Sequence, residues 1–477
     1  MHAKTPCEKA NPTAAGEKAL VINLDPLRYG SFAEIGAGQE VVRWFFRVGG
    51  AAGTVAKSMS AYDMAVSDAI YGKAPRYVSR ERLQMMLDRE HRLNLERLTG
   101  ARGADTAFFS FADTVSARSY QGNTDCHAWM GIRFQTSPGA ADSQIVLHVR
   151  LADQENLQQQ EALGIVGVNL VYGAFYLLAD PERLLSSLLD GLTRRRIEID
   201  MIELSGDAFR DVDNRILSLK LVEMQLTAAA MFSADGRVLQ ASDVLYKKPV
   251  LVQRGSFRPP TRVHTDMHRL ALAQMSRGEK IAQDSILSIA EMTMSNLTAA
   301  ALEEGEDLLQ GFVEQVDILA PAGLTCVVTH YPEYYRIAEQ FVRFTEAPIG
   351  MAMGADTLRA VFDETYYQDL TGGILEAMGR LFKCNVKLYV YPFLDPATGK
   401  VVTAGNLEVP AAIRTLYDYL LDRGVIQALE GYNPELLNIR APEVLKRIRA
   451  DDDWERFVPK NTIEQIRRTG LFGSDKA

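Results

Sequence analysis

The stretch PVLVQRGSFRPPTRVHTDMHRLALAQM, residues 249 to 275, runs from a short apolar strand (Val250 to Gln253) through a turn containing Gly255, Pro259 and Pro260. It continues into a segment whose apolar residues recur at helical spacing. A glycine where a strand ends lets backbone come close to an anion, and the unpaired N–H groups of the following helix start point toward it. Thr261 and His264 stand at that start, while Arg254, Arg258, Arg262 and Arg269 crowd positive charge around the turn. The chain as a whole is acidic, with 61 Asp and Glu against 52 Lys and Arg, so this excess is local. For His264 the competing reading is a histidine that caps or packs locally. For Arg258 and Arg262 it is solvated loop charge.

Working outward, the second half reads as a succession of strands separated by helical stretches: LTCVVTH (324–330), APIGMAMG (347–354) and VKLYVYPF (386–393). Upstream, Asp235-Gly236 between apolar runs is a hairpin signal, with a domain seam placed just after it. The first half opens with a strand expected at Ala19 to Leu24, then helical pattern from Gln39, at Val55 to Ile70, and at Arg80 to Leu98 behind the N-cap Ser79. Strand-like pattern follows from Thr106 to Leu151, a long helix from Glu155 to Leu178, and a strand at Ile197 to Leu204. The expected fold class is α/β in two domains. Residues 1–18 form a flexible N-terminus, 19–240 a separate mixed α/β domain of unassigned role, and 241–477 a second α/β domain.

A chain of 477 residues rarely forms one core, and 47% hydrophobic with 24% charged residues is an ordinary globular composition, which excludes disordered and coiled-coil classes. A net charge of −9 gives no global field for phosphate backbones, so nucleic acid is not the expected partner. Cys7, Cys126, Cys326 and Cys384 form no CxxC pair, which suggests neither a zinc knuckle nor a disulfide framework and fits a reducing, cytoplasmic compartment. The uncharged run Ala162 to Ala179 approaches the length of a membrane span, but it contains Asn169 and is bracketed by Glu161 and Asp180, so it reads as a buried core helix and no membrane association is expected.

The run Gly255 to His264 resembles the GxFxPx(H/T)xGH signature of the HxGH nucleotidyltransferases, in particular the nicotinate and nicotinamide mononucleotide adenylyltransferases. Gly255, Phe257, Pro259, Thr261 and His264 match, whereas Val263 replaces the second glycine and Arg258 replaces an acidic residue. IGMAMGADTL (349–358) resembles the family's GxDxL segment through Gly354, Asp356 and Leu358, and the C-terminal run resembles its VPxxVxxYIxxxGLY ending through Val458, Pro459, Ile466, Gly470 and Leu471. The ISSTxIR loop departs, with Arg440, Ala441 and Pro442 where serine and threonine are expected and Leu445 in place of the arginine.

The resemblance covers about half of the chain and implies a Rossmann-like nucleotidyltransferase fold for the C-terminal domain. The implied reaction is adenylyl transfer from ATP to a nicotinate or nicotinamide mononucleotide, with pyrophosphate released and Mg²⁺ arriving with ATP. It implies His264 and Thr261 as the catalytic phosphate-binding groups, and Gly255, Ser256, Phe257, Gly354 and Asp356 as nucleotide-binding residues. Lys446 or Arg447 takes the part of the missing arginine. Small-molecule nucleotides are then the partners, no protein-held metal is expected, and homo-oligomers are left open. The alternative is a catalytically inactive nucleotide-binding sensor or assembly scaffold, for which Val263, Pro442 and Leu445 speak.

In the first half, Gly36 to Glu40 resembles half of a dinucleotide loop but lacks a third glycine and is not expected to follow a strand directly, and a tight turn into a helix competes with it. The run Gly49 to Thr54 lacks the ending of a Walker loop. Cys126, His127 and His330 have no serviceable triad context, because no sequence feature places an orienting carboxylate against them. An enzyme whose site lies around Gly36 to Glu40 and the Ile145 strand is the third reading.

Overall fold

Each half of the chain builds its own mixed sheet, and the division falls between Thr227 and Ala228. The computed structural model describes residues 12–120, 122, 125–305 and 307–473. Among them are 17 α-helices and 16 strands, so the protein is of the α/β class. Residues 1–11, and with them most of the expected flexible N-terminus and Cys7, lie outside the described residues.

The first unit runs α1 (Ala15–Asn23), β1 (Arg28–Ile35), α2 (Glu40–Val48), β2 (Val55–Met59), α3 (Met64–Tyr71), α4 (Arg80–Arg102), β3 (Ala107–Ser116), β4 (His127–Gln135), β5 (Asp142–Leu151), α5 (Asn156–Tyr176), α6 (Pro181–Ser187), β6 (Ile197–Gly206) and α7 (Asn214–Glu223). Its sheet has the order β2-β1-β3-β4-β5-β6, with β2, β1 and β3 parallel and the rest antiparallel. The strand expected at Ala19 to Leu24 is instead part of α1. Ala15, Lys18, Ala19 and Ile22 bury one helical face, a spacing that the short apolar run alone does not distinguish from a strand. The helix expected from Val55 is split, because β2 finds a parallel partner in β1.

Helix α5 accounts for the uncharged run, and among the described residues no helix is long and apolar enough to cross a membrane. Asn169 is the reason that run contains an amide. Lys18 is 1% exposed, and its Nζ donates to Asn169 Oδ1 (2.9 Å), Asp190 Oδ2 (2.7 Å) and the Ser187 carbonyl (3.3 Å). The Asn169 amide in turn donates to the Leu188 and Asp190 carbonyls. A buried ammonium is tolerated only while its protons are taken up.

The second unit runs β7 (Ala229–Phe232), β8 (Val238–Leu239), α8 (Ala241–Leu245), β9 (Val250–Arg254), α9 (Arg262–Glu279), β10 (Leu287–Thr293), α10 (Met294–Glu304), α11 (Leu308–Leu319), β11 (Thr325–Thr329), α12 (Tyr334–Val342), β12 (Ile349–Gly354), α13 (Ala355–Val361), α14 (Gly373–Leu381), β13 (Val386–Tyr391), β14 (Phe393–Leu394), β15 (Val401–Val402), α15 (Arg414–Asp422), β16 (Ile426–Ala428), α16 (Ala441–Arg449) and α17 (Lys460–Thr469). The main sheet has the order β16-β13-β12-β9-β10-β11-β7-β8, and the six strands from β16 to β11 are parallel. The Asp235-Gly236 hairpin forms, but its strand β7 pairs antiparallel with β11. The expected seam at residue 240 therefore moves upstream, because the hairpin belongs to the second sheet.

The chain moves from β9 to β10 and β11 on one side, then returns to place β12, β13 and β16 on the other. The β9–β10 ladder continues to Arg254↔Glu291, whereas the β9–β12 ladder stops at Gln253↔Ala352. Past that rung β9 and β12 diverge, which opens a crevice at their carboxyl ends, the place where open α/β sheets hold ligands.

Replacing Asn169 by Leu should cost about 1–3 kcal/mol, because it removes one of the three acceptors of the buried Lys18 ammonium and leaves Asp190 as its charged partner. Urea unfolding of the two proteins checks it, and the double variant Lys18→Met with Asn169→Leu should recover most of the loss.

Candidate functional site

The crevice holds a cavity of about 220 Å³. Gln253 and Arg254 line it from β9, Thr261, Val263, His264 and Met267 from the start of α9, and Met353, Gly354, Asp356 and Thr357 from the β12–α13 turn. Tyr391 and Phe393 line it from the end of β13, and Arg440 to Pro442 from the start of α16. Of the residues nominated from sequence, Thr261, His264, Gly354 and Asp356 meet here. Gly255, Ser256, Phe257, Lys446 and Arg447 are not on its wall.

The reasons are local. The Gly255 amide donates to the Glu291 carbonyl (3.1 Å) and so extends the β9–β10 ladder instead of facing the crevice. Phe257 turns inward, 1% exposed, with its ring 5.2 Å from that of His264. Arg447 donates to Asp452 (2.8 Å) and lies over Phe457. Leu445, in the place of the expected arginine, is buried in the core. The segment that aligns with the family's closing helix forms α17, with Gly470 in the left-handed region at its end.

Thr261 caps α9, and His264 completes a capping box. His264 Nδ1 accepts from the Thr261 backbone N–H (3.0 Å) and lies 2.9 Å from the Thr261 hydroxyl. An imidazole whose Nδ1 accepts carries its proton on Nε2, so His264 presents a neutral N–H donor. Burial pushes its pKa down to about 4, which keeps that donor uncharged. Local packing and ligand-facing chemistry, the two readings open for His264, are therefore compatible: one ring nitrogen serves each.

The arginine cluster read from sequence disperses. Arg254 is held by Glu291 (Nε to Oε2, 2.6 Å) and the Tyr331 carbonyl, and it stacks over Tyr334. Arg258 lies over Phe472, Arg262 donates to the Arg456 carbonyl, and Arg269 pairs with Asp266. The cavity's remaining cation is Arg440, at the N-cap of α16, which donates to the Leu394 carbonyl (2.9 Å) and flanks the Phe393 ring. Sequence reasoning passed over Arg440 as a lost serine. The signal was available, since it directly precedes Ala441-Pro442, a proline at a helix start. Two helix starts, of α9 and α16, thus face one cavity with a neutral imidazole donor and a guanidinium, a combination suited to a polyanion.

In the first unit the Gly36 to Gln39 turn does follow a strand and lead into α2. Its helix N-terminus is already occupied, because Glu34 accepts from the N–H groups of Val41 (2.9 Å) and Val42 (3.0 Å). A carboxylate of the chain stands where a phosphate would bind, so the dinucleotide-loop reading fails on occupancy. The Gly49 to Thr54 run is a tight turn whose Gly49 carbonyl accepts from Asn23 (2.7 Å). Among the described residues His127 reaches a carboxylate only through His148. His148 Nδ1 donates to Asp200 Oδ1 (2.5 Å), and His148 Nε2 lies 3.0 Å from His127 Nδ1. Asp200 reaches this position through a bulge in the β5–β6 ladder after His148. Among the described residues no group of three or more His, Cys, Asp or Glu could hold a metal ion.

No family model matches the chain, and no curated protein matches it. Solved structures of the competence-damaged protein (CinA) superfamily are similar over part of it. A competence/damage-inducible protein from Agrobacterium tumefaciens is 16% identical, covers 33% of this chain and 93% of its own, and has a TM-score of 0.25. A superfamily protein from Enterobacter cloacae is 12% identical, over 36% of this chain and 99% of its own, with a TM-score of 0.26. One from Klebsiella pneumoniae is 11% identical, over 35% and 97%, with a TM-score of 0.25. At these values the likeness carries no inference about chemistry.

The lowered His264 pKa has a definite sign. Between pH 6.5 and 4 the unfolded chain takes up a proton that the folded chain refuses, so this group's contribution to stability is complete above 6.5 and lost as pH falls through 4. An NMR titration of the His264 ring should show no protonation step near 6.5. A midpoint at that value would contradict the assigned environment.

Proposed function

We propose that the second unit is a Rossmann-like nucleotidyltransferase domain that binds ATP in the β9–β12 crevice and transfers its adenylyl group to a nicotinate or nicotinamide mononucleotide. One observation carries this reading: the cavity at the carboxyl ends of β9, β12 and β13 gathers the His264 donor, Arg440, and Gly354 with Asp356 from three separate segments. That gathering agrees with the resemblance, which matched His264, Gly354 and Asp356 independently of their positions in space.

In this reaction the 5′-phosphate oxygen of the mononucleotide bonds to the α-phosphorus of ATP, the bond from that phosphorus to the bridging oxygen breaks, and pyrophosphate leaves. The attacking group is already an anion, so no side-chain nucleophile is required and catalysis rests on positioning and charge stabilisation. His264 Nε2–H donates to a phosphate oxygen without competing for a proton. Arg440 supplies the cationic contact that Leu445 cannot. Mg²⁺ comes as the counter-ion of ATP, which neutralises phosphate charge. Arg254, neutralised by Glu291, shapes the wall and leaves the charge balance of the pocket to Arg440.

The sensor or scaffold reading keeps support from the Gly255 amide, which the ladder already uses, and from Val263, which sits at the cavity wall where the signature has glycine. The two readings part in one experiment. Calorimetry with ATP should show binding, and incubation of ATP with either mononucleotide should yield the dinucleotide and pyrophosphate. Binding without product selects the sensor, and no binding removes both. Arg440→Ala should weaken ATP binding by about 1.5–3 kcal/mol, roughly ten- to a hundredfold, the usual range for a charged hydrogen-bond partner. Lys446→Ala and Arg447→Ala should leave binding within twofold of the parent.

A further inference from the structure

Glu34 and Asp113 are directly opposed in the parallel β1–β3 ladder, and each is 1% exposed. Opposed residues in neighbouring strands put their side chains on the same face. That face is the core that contains Phe32, Phe111, Val41 and Val42. Both oxygens of Glu34 accept from the first amides of α2, the helix that follows the Gly36 to Gln39 turn. Asp113 Oδ1 accepts from the Ile35 N–H (3.2 Å), and its Oδ2 is buried with no hydrogen-bond partner.

We propose that Glu34 and Asp113 hold one proton between them as a switch, and that its loss loosens the start of α2 and the glycine turn before it. With the proton in place, one acid is neutral and the pair carries a single charge, which the α2 amides stabilise. Without it, two carboxylates face each other in apolar surroundings, and the repulsion is relieved by withdrawing Glu34 from Val41 and Val42.

Among the described residues the neighbours offer no compensating cation. From α2 comes Glu40, another negative group, whose partner Arg43 is exposed and one turn further on. From β2 comes Ser58, tied to Gln39, whereas Lys57 lies on the opposite face and is bonded to Glu90. From β4 and α5 come Ala128, Met130, Leu163 and Val166, all apolar. Burial, with the neighbouring Glu40 charge, raises the Glu34 pKa to about 7, and burial with the facing Glu34 lifts that of Asp113 well above the usual carboxylate range.

The sign follows. The folded chain binds protons that the unfolded chain has already lost, so the stability of this unit falls as pH rises through 7, opposite to the histidine effect. Gly36 and Gly38 both have positive φ, so the turn that would loosen is the one segment between β1 and α2 whose backbone most residues could not adopt.

The test uses the full chain. Hydrogen–deuterium exchange of the peptide containing Val41 and Val42, corrected for intrinsic rate, should accelerate at least tenfold between about pH 6 and about pH 8.5. In Asp113→Asn, which keeps the acceptor for Ile35 and removes one charge, exchange should stay at the low-pH level throughout. The unfolding midpoint of this variant at the upper pH should exceed that of the parent. Should the variant fold poorly, infrared spectroscopy of the parent decides: the C=O stretch of a buried protonated carboxylic acid should persist at pH 6 and fade by the upper limit. Exchange that does not change with pH in the parent, or absence of that band at pH 6, would overturn the proposal. The result is independent of whether the second unit binds ATP.

Discussion

Arg254 and Glu291 meet at the last rung of the β9–β10 ladder, with Glu291 fully buried and its second oxygen accepting from the Thr329 hydroxyl on β11. Arg254 also donates to the Tyr331 and Pro332 carbonyls, so one guanidinium ties three neighbouring strand ends and the turn after them. A buried pair of this kind is stable when hydrogen bonds take up its protons and lone pairs, and here both Glu291 oxygens and all three Arg254 nitrogens are bonded. Its consequence is asymmetry. One side of β9 is closed to its end, and the crevice can open only on the other side, toward β12 and β13. The location of the cavity, and the fact that Arg254 is spoken for within it, both follow from that rung.

The two units use the same local device to different ends. In each, a parallel strand passes through a glycine-containing turn into a helix, which exposes unpaired amides where the helix begins. In the first unit Glu34, from the strand itself, satisfies them, and the chain is its own ligand. In the second, the Thr261 and His264 capping box satisfies part of the helix start and uses only Nδ1 of an imidazole that lines the cavity. The difference between a sealed helix start and a usable one is a single side chain, a glutamate two residues before the turn in one case and a histidine three residues after the cap in the other.

Much of the fold was legible in sequence because its signals are local. The strand at Val250, the hairpin at Asp235-Gly236 and the cap at Ser79 each depend on residues within a few positions of one another, and each forms where the pattern placed it. The strand expected at Ala19 failed for the opposite reason: a short apolar run fits either period, and its face is set by distant Asn169 and Asp190 through Lys18. The carboxylate that bonds His148, the partner of His127, was invisible because Asp200 lies 52 residues beyond His148 and arrives through a bulge.

By itself the sequence determined the α/β class, most of the strands, and the association of Thr261 and His264 with a strand-turn-helix, since chain neighbours and helical period fix these. The tertiary structure decided which charges face the cavity. Four arginines near the turn are drawn off by Glu291, Phe472, the Arg456 carbonyl and Asp266, and the cation that remains, Arg440, comes from a helix almost two hundred residues later. Proximity in sequence measures how much charge is nearby, whereas the choice of partner depends on which acceptors the fold brings within hydrogen-bond distance, and those acceptors lie on other strands and helices.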